Sequence, residues 1–196
     1  MKNKTRQPTR FIPNNSLFSK IRLFNLLAIL FLSSLYFIAL FFFNQFFSPT
    51  YFYVGSLFLL AFLICFAANL VPNYNAGFLF LFFSALLTWN INDIGVTGIF
   101  KVLIFLIIGV IFELSSNLFA IKIYTHYLTN LLSAILVITL IPVLIALFLS
   151  LNVALAMLTS FINLLLLTFL AGASGAVVSI AVWILFGSYL EKIRPF

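Results

Sequence analysis

Uninterrupted apolar runs of about twenty residues follow one another along this chain, and they constrain its fold more than any other feature. The first run extends from Ile21 to Phe43 and the second from Tyr51 to Val71, each followed by a short segment with polar residues and proline. An α-helix needs about twenty apolar residues to cross a bilayer. A transmembrane β-barrel would instead alternate apolar and polar residues in segments of about ten. The pattern predicts an all-α bundle of transmembrane helices.

The overall composition excludes a soluble globular domain. Of the 196 residues, 65% are hydrophobic and 7% are charged, whereas a soluble domain carries about 25% charged residues. Too few polar side chains exist to cover an apolar core with a hydrated surface. The chain is therefore expected to contact the lipid bilayer over most of its surface.

The number of spans depends on how the last apolar stretch is interpreted. The runs after the second are Ala76 to Trp89, Gly98 to Phe119, Leu128 to Leu151 and Val153 to Leu190. The third helix is short. The last stretch is nearly twice the length of a span and contains a patch of small residues at 171–176. A loop or interfacial segment leading into one long span would give six spans, and two short spans meeting at the patch would give seven.

The distribution of basic residues favours six spans, because lysine and arginine accumulate on the cytoplasmic side of membrane helices. Six of the ten basic residues precede or open the first run, namely Lys2, Lys4, Arg6, Arg10, Lys20 and Arg22. With this end inside, six spans also place Lys122, Lys192 and Arg194 inside. We therefore predict a basic cytoplasmic tail over 1–20, a six-helix domain over 21–190 and a short cytoplasmic terminus over 191–196, in the plasma membrane.

Residues for catalysis are scarce. The chain has one histidine, His126, one cysteine, Cys65, and three acidic residues, Asp93, Glu113 and Glu191. No metal-ligand spacing and no glycine-rich phosphate loop occurs in the sequence. The net charge of +7 reflects the membrane-flanking cluster rather than a nucleic-acid surface. We predict a protein that is not an enzyme, with no metal, no cofactor and no nucleic-acid partner.

Polar residues gather toward the outer side of the six-span topology, where they suggest a small-molecule site. Amide, aromatic and charged groups in a mainly apolar frame are typical of ligand pockets. The candidate substrate-binding residues are Trp89, Asn90, Asn92, Asp93, Lys101 and Asn163. Two ordinary explanations stay open, since connections between helices are polar and tryptophan favours the interface. Lys101 alone could also extend its ammonium to the outer headgroups.

Glu113 is the clearest ionisable residue within a predicted span, and such residues usually have a function or a partner. Asn117 lies four residues later on the same helix face. Lys101 lies twelve residues earlier, about 18 Å along the helix axis, too far to pair with Glu113 directly. Glu113 and Asn117 are therefore assigned a structural or coupling role. Gly172 and Gly175, in the last helix, are assigned to close helix packing.

Three segments resemble the substrate-binding S components of energy-coupling factor vitamin transporters. These are the start of the short third helix at 75–78, the fourth helix from Gly98 to Leu114 with its lysine, glycine and acidic residue, and the glycine-rich last helix at 171–176 with its charged end at 190–194. The first helix lacks the family's alanine-x-x-x-alanine pattern. The resemblance implies a binding subunit that captures a vitamin or precursor outside, with energy supplied by separate ATPase subunits through a coupling transmembrane subunit.

Two other functions stay open at the level of sequence. The chain could be a non-catalytic structural or assembly subunit of a membrane complex, in which Glu113 and the small-residue patch are packing points. It could also be a self-contained carrier of a small solute. A carrier would be expected to have polar residues through the whole membrane thickness, whereas this sequence has polar ends and Glu113 between them.

Overall fold

The computed structural model describes residues 23–71, 75–122, 126–148 and 158–193, and within these ranges it contains six α-helices and no strand. The helices are α1 Leu23–Phe46, α2 Pro49–Leu70, α3 Ala76–Leu87, α4 Gly98–Lys122, α5 His126–Phe148 and α6 Leu158–Ile193. All except α3 are long and apolar enough to cross a membrane. The predicted all-α, multi-pass membrane bundle is confirmed.

The third helix is short, as the sequence predicts. It has 12 residues, which corresponds to about 18 Å, against a hydrocarbon core of about 30 Å. It ends at Leu87 rather than at Trp89, because the chain turns at residues 88–90. One end of α3 therefore has to terminate within the bundle, where its backbone groups need protein partners.

The last described stretch is one continuous helix. α6 contains 36 residues and passes through the small-residue patch without a break, so the six-helix interpretation is confirmed over the seven-helix alternative. Helix α6 also continues past the predicted domain end through Glu191 to Ile193. The predicted basic tail at 1–20 and the last residues, 194–196, lie outside the described residues. The cytoplasmic placement of both ends stays a prediction.

Helix α2 lies at the centre of the bundle, where it contacts α1, α3, α5 and α6. Its residues Leu57, Leu60 and Ile64 are fully buried. Helix α4 packs between α3 and α5, and α1 packs against α2 and α3. Large apolar side chains such as Phe31 and Ile184 face outward, as expected where lipid rather than water surrounds the protein.

Glycines set the closest helix contacts of α6. Gly175 lies directly against the α2 backbone at Phe58, so a Cβ atom at Gly175 would overlap the Phe58 carbonyl oxygen. Gly172 faces α5, where an added Cβ would lie 3.1 Å from the Ile138 Cβ atom. Small residues allow membrane helices to approach one another closely. The structure thus places both glycines in the contact surfaces between α6 and its two neighbours.

Candidate functional site

A buried ion pair lies at the end of the bundle where α3 connects to α4. The Lys101 Nζ atom, on the first turn of α4, lies 2.5 Å from the Asp93 Oδ1 atom of the α3–α4 connection, residues 88–97. Both side chains are 0% exposed. Charges removed from water are tolerated only with close partners and hydrogen bonds. The pair therefore has to be held by the groups around it.

Two other helices hold Asp93 in place. The Tyr36 hydroxyl of α1 donates a hydrogen bond to the Asp93 Oδ2 atom at 2.6 Å. The Ser56 hydroxyl of α2 bonds to the backbone carbonyl oxygens of Asp93 and Tyr53. Burial raises the pKa of the Asp93 carboxyl, and the Lys101 ammonium opposes that rise. Together these contacts fix the α3–α4 connection to α1, α2 and α4.

Lys101 also satisfies the carboxyl end of α3. Its Nζ atom donates to the Thr88 carbonyl oxygen at 2.7 Å and to the Ile91 carbonyl oxygen at 3.1 Å. The ammonium lies 5.6 Å from the centre of the Phe105 ring, in a cation–π contact. Thr88 is the C-cap residue that follows the last residue of α3. A cation at this position complements the negative end of the α3 dipole.

Glu113 performs the complementary role at the amino end of α3. Its Oε1 atom accepts a hydrogen bond from the Phe78 backbone N–H at 3.1 Å. Asn75, which precedes the helix, has a left-handed backbone with φ 49° and makes no side-chain cap. Glu113 thus supplies from α4 the acceptor that an N-cap residue normally supplies locally.

The spacing of these two charges along α4 matches the length of α3. Lys101 and Glu113 are twelve residues apart, and α3 itself has 12 residues, so each distance is about 18 Å. Because α3 and α4 run in opposite directions, each charge meets the dipole end of opposite sign. The two charged residues that the sequence places too far apart to pair thus each stabilise one end of α3.

Two glycines bring α3 and α4 close enough for this arrangement. A Cβ atom on Gly77 would overlap the Phe112 ring, and one on Gly109 would lie 2.9 Å from the Phe78 Cδ2 atom. The two helices are in contact through these positions, which lie beside Glu113 on the amino-terminal side of it along α4. Larger residues there would separate the Glu113 carboxyl from the Phe78 N–H.

A cleft of about 330 Å³ adjoins the connection on the side of α2, α5 and α6. Its lining is almost entirely apolar. The residues that line it are Tyr53, Ile94, Gly95, Pro142, Ile145, Ala146, Phe161 and Leu164. Pro142 lies inside α5, where it cannot donate a hydrogen bond to the Ile138 carbonyl. The cleft is in the size range of small-molecule sites, about 300–1,000 Å³.

The predicted site residues of the connection and of α4 differ in burial. Asp93 and Lys101 come together, but each has the other as its partner. Trp89, Asn90 and Asn92 lie exposed on the connection. The connection therefore buries its charged residue and presents its amides and indole ring outward.

The remaining predicted residues lie on helices. Asn163 is exposed on α6, between the cleft-lining residues Phe161 and Leu164. Glu113 is half-buried, and Asn117 is exposed one turn further along α4. Glu113 and Asn117 thus lie on the same helix, but Asn117 is more exposed than Glu113.

Tyr36 and Ser56 were not identified from the sequence, although both contact Asp93. A signal existed, because each is a hydrogen-bonding residue within an apolar span and such residues need partners there. The partner could not be named, since Tyr36 and Asp93 are separated by 57 positions. Their contact depends on how α1 and the connection meet.

A second polar group lies toward the opposite end of the bundle. The Asn130 amide of α5 donates to the Asn69 Oδ1 atom of α2 at 2.7 Å. The Ser116 hydroxyl of α4 donates to the Asn130 Oδ1 atom at 3.0 Å, and the Asn69 amide contacts the Cys65 sulfur at 3.8 Å. This chain of neutral groups joins three helices. Among the described residues, no group of three or more His, Cys, Asp or Glu could hold a metal ion.

None of the family models, curated proteins and solved structures that we compared with this chain matches it. Two features of the chain's own geometry point to a function, namely the fixed α3–α4 connection and the apolar cleft beside it.

Proposed function

We propose that this chain is a membrane-embedded binding subunit that captures a small nutrient molecule, such as a vitamin or its precursor, for uptake. The observation that carries the proposal is the cleft of about 330 Å³ built against a connection that a buried ion pair holds in place. Binding sites are typically concave, mainly apolar and largely formed before the ligand arrives. The cleft combines these properties at one end of the bundle.

The position of the cleft supports capture from one side of the membrane. Its lining residues come from the start of α2, the connection after α3, the end of α5 and the start of α6. All of these lie at the end of the bundle opposite the amino terminus of α1. With the basic amino-terminal segment in the cytoplasm of a plasma-membrane protein, the cleft belongs to the outer half.

In this proposal the chain binds and other subunits supply energy. The sequence carries no glycine-rich phosphate loop, and the segments that resemble S components support a division of labour with a coupling membrane subunit and ATPase subunits. The described residues that line the cleft all lie at one end of the bundle, which favours a binding subunit over a self-contained carrier.

The test is native mass spectrometry of the protein purified from its source membrane, in the wild type and in two variants. Ala146→Phe fills the cleft, whereas Leu147→Phe adds a ring at the neighbouring position, which is 71% exposed. We expect the wild type and Leu147→Phe to retain a small molecule, and Ala146→Phe to retain about tenfold less. Equal retention by all three, or wild type without ligand and without partner subunits, would overturn the proposal.

A second candidate is a structural subunit of a membrane complex. It is favoured by the intramolecular partners of Asp93, Lys101 and Glu113. Each of these three charged side chains stabilises the chain's own fold, so none of the three is assigned to a ligand. Under this candidate, partner subunits co-purify, no ligand does, and Ala146→Phe leaves the assembly intact. The same purification therefore separates the two functions.

A further inference from the structure

The cleft lining carries information about the chemistry of its ligand. Ile145 and Ala146 of α5 face Phe161 and Leu164 of α6 across it, and Ile94 of the connection is fully buried beside them. Among the described residues that line the cleft, none carries a charge. An ionised group that enters such a site loses its hydration without gaining a counter-charge, which is strongly unfavourable.

The nearest charges are unavailable to a ligand. Asp93 immediately precedes the cleft-lining residues Ile94 and Gly95, but its carboxylate is directed to Tyr36 of α1 and Lys101 of α4. The cleft lies on the other side of the connection, toward α5 and α6. Both charged side chains are 0% exposed. The buried ion pair thus lies on the side of the connection that faces α1 and α4, and the apolar cleft lies on the side that faces α5 and α6.

Among the described residues that line the cleft, Tyr53 alone has a side chain with a hydrogen-bonding group. Its backbone carbonyl accepts the Ser56 hydroxyl, and Ser56 also binds the Asp93 carbonyl, so the α2 turn that carries Tyr53 is tied to the connection. A phenol hydroxyl both donates and accepts hydrogen bonds. The Tyr53 side chain is half-buried and is part of the cleft lining.

From these observations we infer that the cleft takes an uncharged, mainly apolar molecule with a single hydrogen-bonding group, which the Tyr53 hydroxyl recognises. This inference rests on the proposed function and specifies its substrate class. The volume of about 330 Å³ is at the small end of the range for ligand sites, about 300–1,000 Å³. Asp93 and Lys101 position the wall of the cleft and do not contact the ligand.

Photolabelling with matched molecules tests the inference. The labels are a diazirine derivative of octanol, the corresponding sulfonate and trimethylammonium compounds, and the corresponding octane. The full chain is placed in phosphatidylcholine nanodiscs, and labelled positions are found by mass spectrometry with and without excess unlabelled octanol. We expect the alcohol to label α5 and α6 residues of the cleft saturably, and the two charged compounds to do so about tenfold less.

Variants assign the labelling to the cleft and to the hydroxyl. Ala146→Phe is expected to abolish the saturable labelling and Leu147→Phe to preserve it. Tyr53→Phe should weaken labelling by the alcohol by about three- to tenfold and leave labelling by the octane derivative unchanged, because only the hydrogen bond is removed. Equal effects of Tyr53→Phe on both compounds would assign a packing role to this ring and overturn its part in recognition.

The remaining outcomes separate this inference from the proposed function. Saturable cleft labelling by a charged compound as strong as that by the alcohol would overturn the inference. So would a charged molecule found by native mass spectrometry in the wild type and lost in Ala146→Phe, although the proposed function would then stand. Labelling that octanol does not displace would indicate partitioning of the probe into the surrounding lipid and would overturn the inference. Absence of saturable labelling together with absence of a native ligand would overturn both proposals.

Discussion

The two ends of α3 are both stabilised by a charge on α4, but in different ways. At the carboxyl end, Lys101 binds the terminal carbonyl groups and is neutralised by Asp93, within a fully buried network that reaches α1 and α2. At the amino end, Glu113 binds the Phe78 backbone N–H and is only half-buried. The carboxyl end is therefore a network whose members depend on one another, and the amino end is a single cap.

This difference shows two roles that a charged residue inside a membrane bundle can have. A buried ion pair is costly to form and more costly to break on one side, because the remaining charge is left without a partner. A carboxylate at a helix amino terminus needs no counter-ion of its own, because the N–H groups and the helix dipole provide the positive potential. The first arrangement can fix a connection in space, and the second only completes a helix.

The largest expected effect is the loss of one member of the ion pair. Asp93→Asn or Lys101→Met should each lower the free energy of unfolding by about 3–5 kcal/mol, because each leaves the other residue buried without its partner. The double variant should be less destabilised than the sum of the two, by at least about 1 kcal/mol. Unfolding in mixed micelles with increasing sodium dodecyl sulfate measures this cycle. Strictly additive effects would show that the two side chains do not interact.

Removal of the Tyr36 hydroxyl should have the next largest effect. Tyr36→Phe keeps the ring and removes one donor to a buried carboxylate, which is expected to cost about 1.5–3 kcal/mol. Tyr51→Phe is the matched control, because Tyr51 is 71% exposed and its substitution should cost less than about 0.5 kcal/mol. The same unfolding assay compares them. Equal stability of the two variants would exclude Tyr36 from the network.

The amino end of α3 should respond more weakly. Glu113→Ala removes the acceptor for the Phe78 N–H and should cost about 1–2 kcal/mol. Glu113→Gln keeps a carbonyl acceptor in place and should cost about half as much. Hydrogen exchange at the Phe78 amide gives a local readout and should rise most in the alanine variant. A loss of stability as large as that of Asp93→Asn would contradict the proposed difference between the two ends.

Salt should have the smallest effect of all. Exposed ion pairs are screened by salt, whereas buried pairs are screened much less. Because Asp93 and Lys101 are 0% exposed, the coupling energy of their double-mutant cycle should change by less than about 0.3 kcal/mol between about 0.05 M and about 0.5 M sodium chloride. A coupling that falls with salt toward zero would place the pair in contact with water.

The helices could be predicted from the sequence because their signal is local. A run of about twenty apolar residues specifies a spanning helix wherever its neighbours lie, and the short run from Ala76 specifies a short α3. The patch at 171–176 was ambiguous for a physical reason, since small residues suit both a turn and a close helix contact. In the structure Gly175 contacts the α2 backbone directly. The small residues of the patch are therefore explained by close helix packing, and no turn is needed.

The network around Asp93 could not be predicted in the same way. Its contacts join residues on α1, α2, the connection and α4, and their proximity depends on how these elements pack. Glu113 was recognisable as an unusual residue, but its partner is a backbone N–H group, which every residue except proline has and which therefore leaves no mark in the sequence. The match between the Lys101–Glu113 spacing and the length of α3 emerges only in the structure, because the apolar run continues two residues past the end of the helix, to Trp89.

The contact between Asp93 and Lys101 fixes the α3–α4 connection, and the sequence makes that contact measurable. Asp93 is the only aspartate in the chain, so ¹³C labelling of the aspartate carboxyl carbon marks a single site. Solid-state NMR recoupling to ¹⁵N-labelled lysine Nζ, in phospholipid bilayers, reports the distance between them. We predict a strong coupling that corresponds to about 3–4 Å, unchanged when a ligand occupies the cleft. No detectable coupling, or a coupling lost on ligand binding, would contradict the assignment of this pair to the frame of the site.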